Sequence, residues 1–131
     1  MLLPTREKGI STSQSAASLL DMSMNYVRVD GTLVGSGALI SGGGTLASGI
    51  WQSGDGVYRP IGSARVWTGA ATLTATGTLA GTCGNWADTT QTGGLQGWYQ
   101  VDDSRWWTFT SDACNDTSGT EGSLYCVQTA P

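Results

Sequence analysis

An α+β domain, mostly antiparallel β with long loops, is the fold class this chain predicts. Three observations carry that expectation. Several short runs alternate apolar and polar residues in period two, as strands with one buried face do. One stretch near the start has helical spacing, and no internal repeat or linker splits the chain. The length of 131 residues suits one ordinary domain with a single hydrophobic core.

The elements follow in order. Pro4 to Gly9 reads as a loop. Ser13 to Met24 is expected as a short helix, with Ala16, Ala17, Leu19 and Leu20 as its apolar face and Ser11 or Ser13 as its cap. Tyr26-Val27-Arg28-Val29-Asp30 alternates as a half-buried strand, Asp30-Gly31 signals a two-residue hairpin turn, and Thr32-Leu33-Val34 returns. Gly35 to Gly56 is rich in Gly and Ser around Gly42-Gly43-Gly44, with Leu39-Ile40 and Ile50-Trp51 as apolar islands. It contains no G-x-x-x-x-G-K and no helix is expected after it, so it reads as a long surface loop rather than a phosphate cradle. Ala64 to Thr68 is a further strand, and Thr72 to Leu79 is either a short strand or a polar loop. Gly97 to Val101 and Arg105 to Thr110 read as two strands separated by Asp102-Asp103-Ser104, and Ser123 to Gln128 as a terminal strand.

Composition narrows the function classes. The chain is 39% apolar and only 12% charged, with Gly, Ser and Thr filling the difference. Such a polar, uncharged balance suits a secreted, cell-surface or virion-exposed protein. The net charge is −4, and the six cations (Arg6, Lys8, Arg28, Arg59, Arg65, Arg105) are scattered. Phosphate backbones need clustered Lys and Arg, so neither nucleic acid nor an anionic membrane surface is an expected partner. No stretch reaches the roughly 18 apolar residues of a spanning helix, so no membrane insertion is expected. The N-terminus lacks the basic and apolar regions of a signal peptide, which places any secretion signal outside this chain.

The three cysteines, Cys83, Cys114 and Cys126, leave one thiol over, which points to a free cysteine or a missing partner. Zinc is disfavoured because the chain has no C-x-x-C pair and no histidine. The missing histidine also removes Ser-His and Cys-His nucleophile systems. Asp102 and Asp103 are adjacent and face opposite sides if extended, a poor acid/base pair. No catalytic residue and no cofactor is therefore expected.

The last third carries the most information. Cys83-Gly84-Asn85-Trp86 opens it, Trp106-Trp107-Thr108 leads to Cys114, and Leu124-Tyr125-Cys126 closes it, with Val66-Trp67-Thr68-Gly69 just upstream. In order and spacing this resembles the C-type lectin-like superfold, nearest its endostatin-like branch and the bacterial DUF1554 domains, from about Tyr26 to Gln128. The resemblance implies that Cys83 pairs with Cys114, and that Cys126 is unpaired here because its partner would lie upstream of Met1. It also implies that the family's first strand and helix are missing or only partly represented by residues 1 to 24. Sugar-binding members carry Glu-Pro-Asn or Gln-Pro-Asp and Trp-Asn-Asp as calcium ligands. This chain has neither, so calcium-dependent sugar binding and a metal site are not expected.

The candidate recognition surface is the segment from Trp98 to Trp106, with Trp98, Tyr99, Asp102, Asp103, Arg105 and Trp106 as its contact residues. It concentrates aromatics beside two acids and an arginine within the implied disulfide loop. Trp67 and Trp86 are assigned to the core. Period two places one of Trp106 and Trp107 inward and the other outward, and divides Trp98 from Tyr99 likewise. Aromatics interleaved with polar groups suit sugar faces or protein hot spots. The expected function is a calcium-independent module binding a protein or glycan ligand. The alternative is a structural component of a virion, fibre or extracellular matrix assembly. Asn115-Asp116-Thr117 is a glycosylation sequon, meaningful only in a eukaryotic secretory pathway.

Overall fold

The computed structural model describes residues 10–59, 65–115 and 123–127. It is an α+β domain with two antiparallel sheets and few helical turns. The first sheet is the expected hairpin. β1 (Asn25–Val27) pairs with β2 (Leu33–Ser36), with a bulge between Tyr26 and Val27. The turn is wider than two residues, running from Arg28 to Thr32. The Arg28 N–H donates to the Thr32 carbonyl at 2.9 Å, and the Gly31 N–H to Arg28 at 2.9 Å. The Asp30 carboxylate accepts from the Thr32 N–H at 2.9 Å, a local bond that competes with the tighter turn. Gly31 sits at φ 83°, which favours glycine.

The helix expected over 13–24 is absent. Only a 3₁₀ turn, Ala17–Leu19, forms there, without a side-chain cap. The cause is the serine content: Ser18 Oγ bonds the Ser15 carbonyl at 2.7 Å, and Asp21 folds back onto Ser23. Conversely, a helical turn appears inside the expected Gly-rich loop. α1 (Gly37–Ser41) is capped by Ser36, whose Oγ accepts from the Leu39 N–H at 3.1 Å, and it buries Ile40. The segment from Thr72 to Leu79 takes the polar-loop alternative, with a single bridge from Ser15 to Thr76.

The second sheet runs in the order β3 (Arg65–Trp67), β4 (Gly94–Trp98), β5 (Thr110–Asp112). β4 starts three residues before the expected strand and ends at Trp98. The strand expected over Arg105 to Thr110 is replaced by a 3₁₀ turn, Ser104–Trp106, with β5 starting at Thr110. Asp103 caps that turn by accepting from the Arg105 N–H at 3.0 Å. The terminal strand reduces to one parallel bridge, Leu124 to Trp67; Gln128 lies outside the described residues.

The core gathers residues of β2, α1 and the loops. Val34, Ile40, Leu46, Ala70 and Leu73 pack with Trp106 and Trp107. Both tryptophans are buried, Trp106 at 2% exposure, so the inward–outward division fails. Period two does not apply to a 3₁₀ turn. Each indole N–H finds a carbonyl at 3.0 Å, Gly44 for Trp106 and Ala70 for Trp107, as buried tryptophans require.

Cys83 and Cys114 form a disulfide, as the resemblance implies, and Cys126 is a free, exposed thiol. The bond ties the helical turn Cys83–Trp86 to the segment after β5. Gly94 makes this possible: a Cβ there would stand 2.4 Å from the Trp67 ring and about 3 Å from both sulfurs. Trp67 is buried as assigned, but Trp86 is not core. It is 37% exposed, and its indole N–H donates to the Ile10 carbonyl at 2.8 Å. The turn that carries it has positive φ at each of its four residues, which swings the ring outward over Gly69.

Candidate recognition surface

The end of β4 and the loop that follows build one compact surface. Trp98, the last β4 residue, is half-buried, and its ring centroid lies 5.1 Å from that of Phe109. The Arg105 guanidinium sits 5.3 Å from the same ring, within cation–π range. Asp103 holds the guanidinium through bonds from Nε at 2.9 and 3.0 Å. Those bonds keep the Asp103 carboxyl below its ordinary range and raise Arg105 above its own. The Trp98 indole N–H donates to Gln100 Oε1 at 3.1 Å. Phe109 is 44% exposed and forms the outer edge. The result is an aromatic pair braced by a locally neutralised arginine.

Of the six candidate residues, the structure brings together Trp98, Asp103 and Arg105. Trp106 is a correction, since it lies in the core. Tyr99 points elsewhere. With Ile50, Val66 and Tyr125 it lines a separate cavity of about 200 Å³. Asp102 is exposed, but its carbonyl is committed, accepting from the Leu46 N–H at 2.6 Å. Phe109 was missed because its contact is made across the sheet. Its N–H pairs with the Gln96 carbonyl at 2.8 Å, which seats the ring beside Trp98.

A second aromatic cluster also escaped the sequence. Arg28 lies 5.5 Å from the Trp51 ring and 6.0 Å from the Tyr58 ring, and the two rings are 5.5 Å apart. Its guanidinium bonds Asp30 at 2.9 Å and the Gly49 carbonyl at 3.2 Å, leaving only 9% of the side chain exposed. The Tyr58 hydroxyl donates to Asp30 at 2.6 Å. With its cation committed, this cluster is a clamp that fastens the Gly-rich loop to the hairpin tip.

The clamp has a pH consequence. The Tyr58 hydroxyl, then Arg28, then the Thr32 N–H hold the Asp30 carboxyl well below the ordinary carboxylate range. A depressed carboxyl stabilises the fold above its unfolded value of about 4 and loses that contribution as pH falls through the folded value. Asp30→Asn should therefore melt below the native chain at pH 7, and the gap in Tm should shrink steadily below about pH 4. A gap that is constant from pH 7 to pH 2 would show that the clamp does not depend on the carboxylate.

Among the described residues, no three or more Asp, Glu, His or Cys side chains group as a metal site, and no helix is long and apolar enough to cross a membrane. Arg28 forms an ion pair with Asp30, Arg65 with Asp112 and Arg105 with Asp103. Fold and surface together define the class: a small disulfide-linked α+β domain with two antiparallel sheets and a braced aromatic face. Comparison with known protein families, curated proteins and solved structures finds no match to this chain.

Proposed function

We propose that this chain is a non-catalytic extracellular recognition domain of C-type lectin-like kind, binding a protein or glycan without calcium. The observation that carries the reading is the Phe109–Trp98–Arg105–Asp103 surface. Its aromatic groups are accessible yet already ordered by neighbours, so little side-chain entropy is lost on binding. The disulfide supports the same reading, because it suits an oxidising compartment and closes the loop that carries this surface. Calcium independence rests on the missing ligand triplets.

The test is to probe printed glycans and immobilised matrix proteins with the labelled chain in EDTA. Trp98→Ala should weaken binding to the strongest hit by roughly thirtyfold, about 2 kcal/mol. Tm should not change when EDTA replaces calcium. Loss of all binding in EDTA, or a melting temperature restored by added calcium, would contradict the reading.

One observation favours assembly instead. Val27 and Leu33 face each other across the hairpin with both side chains exposed, and Val29 in the turn is exposed as well. An apolar patch of this kind marks contact surfaces. If the chain is an assembly component, sedimentation will show concentration-dependent growth that Val27→Lys abolishes. A monomer at all concentrations removes this alternative.

A further inference from the structure

Gln96 occupies the middle of the central strand β4, opposite Trp67 on β3 and Thr110 on β5. Its side chain is fully buried, at 0% exposure, and neither its amide oxygen nor its amide nitrogen has a hydrogen-bond partner among the described residues. The register explains the burial. Arg65 pairs with Trp98 and Asp112 with Gly94, so Arg65, Gln96 and Asp112 share one face of the sheet. The Arg65–Asp112 ion pair, 2.9 Å long, links β3 to β5 on the face of the sheet that carries Gln96.

An amide buried with both ends unpaired is a costly arrangement, and native proteins seldom keep one. Strand geometry also leaves it few alternatives. The backbone groups of β4 are engaged with β3 and β5, and Asp112 Oδ1 already accepts from the Ala113 N–H at 2.9 Å. Buried polar groups in this position are ordinarily completed by ordered water that makes about three hydrogen bonds. We infer that Gln96 holds an internal water molecule that links its amide to the Arg65–Asp112 pair. The ligand class is water, and the site is the buried Gln96 amide. Gln96 lies two residues from Trp98 on the same face, so the link braces the strand that carries the aromatic surface.

Two measurements test it. Water–protein NOE spectroscopy on the native chain should show a long-lived contact between water and the Gln96 side-chain amide protons. Gln96→Met keeps the length of the side chain and removes both polar atoms. It should lower Tm by roughly 3–6 °C, because a satisfied network is lost. A rise in Tm would show that the amide is unsatisfied, and would overturn the inference. A fall in Tm without a water contact would also overturn it, by showing that the amide bonds protein groups directly.

Discussion

Replacing Cys83 and Cys114 with serine is expected to lower the unfolding free energy by about 3–4 kcal/mol, the loop-closure contribution for a bridge of this span. The sequence separation is 31 residues. The effect is large relative to the roughly 5–15 kcal/mol that separates folded from unfolded domains. It is large here for a local reason. The Cys83–Trp86 turn has positive φ at Cys83, Gly84, Asn85 and Trp86, a conformation that non-glycine residues adopt only under constraint. The bond supplies that constraint together with the Thr82 cap, whose Oγ1 accepts from the Asn85 N–H at 3.0 Å. Urea titration of the native and double-serine chains measures the difference. Superimposable midpoints would show that the turn and the Gly94 packing hold without the bond. Thiol counting gives a companion result: the native chain should react at Cys126 alone.

Trp106→Ala should cost about 3–5 kcal/mol, the usual range for deleting a buried tryptophan. Trp106 packs edge-on against Trp107 at 5.5 Å and against Tyr125 at 5.6 Å. Its carbonyl accepts from the Tyr125 hydroxyl at 2.7 Å, and its indole N–H holds the Gly-rich loop at Gly44. Truncation opens a cavity in the core beside Trp107 and Tyr125 and frees that loop. The effect is therefore a loss of fold, seen as a collapse of Tm with or without ligand. A variant that keeps its Tm but loses binding would return Trp106 to the recognition surface.

The sequence made legible what is set locally. Alternation from Tyr26 and the Asp30-Gly31 signal marked the first hairpin, because strand and turn chemistry lie within ten residues. The disulfide followed from the order of the cysteines in the superfold resemblance. What failed was governed by contacts the sequence does not display. Serine hydroxyls took the backbone bonds that a helix over 13–24 needed. Asp103, read as a contact residue between two strands, caps a 3₁₀ turn, and both Trp106 and Trp107 lie in the core. Trp86 was drawn outward by a left-handed turn that no periodicity announces. Phe109 reached Trp98 only through sheet register, and Arg28 reached Trp51 and Tyr58 only by closure of a long loop. Within the candidate segment, Trp98, Asp103 and Arg105 converge, while Trp106 lies in the core and Tyr99 lines a separate cavity.

The proposed recognition surface can be tested directly from the six indole N–H resonances in a ¹⁵N correlation spectrum, recorded as the strongest array ligand is added. The Trp98 indole signal is expected to shift most, since its hydrogen bond to Gln100 lies within the surface. The Trp106 and Trp107 signals, bonded to carbonyls in the core, should stay in place. An unmoved Trp98 signal, with shifts at Trp51 or Trp86 instead, would place the ligand elsewhere and contradict the assignment of this face.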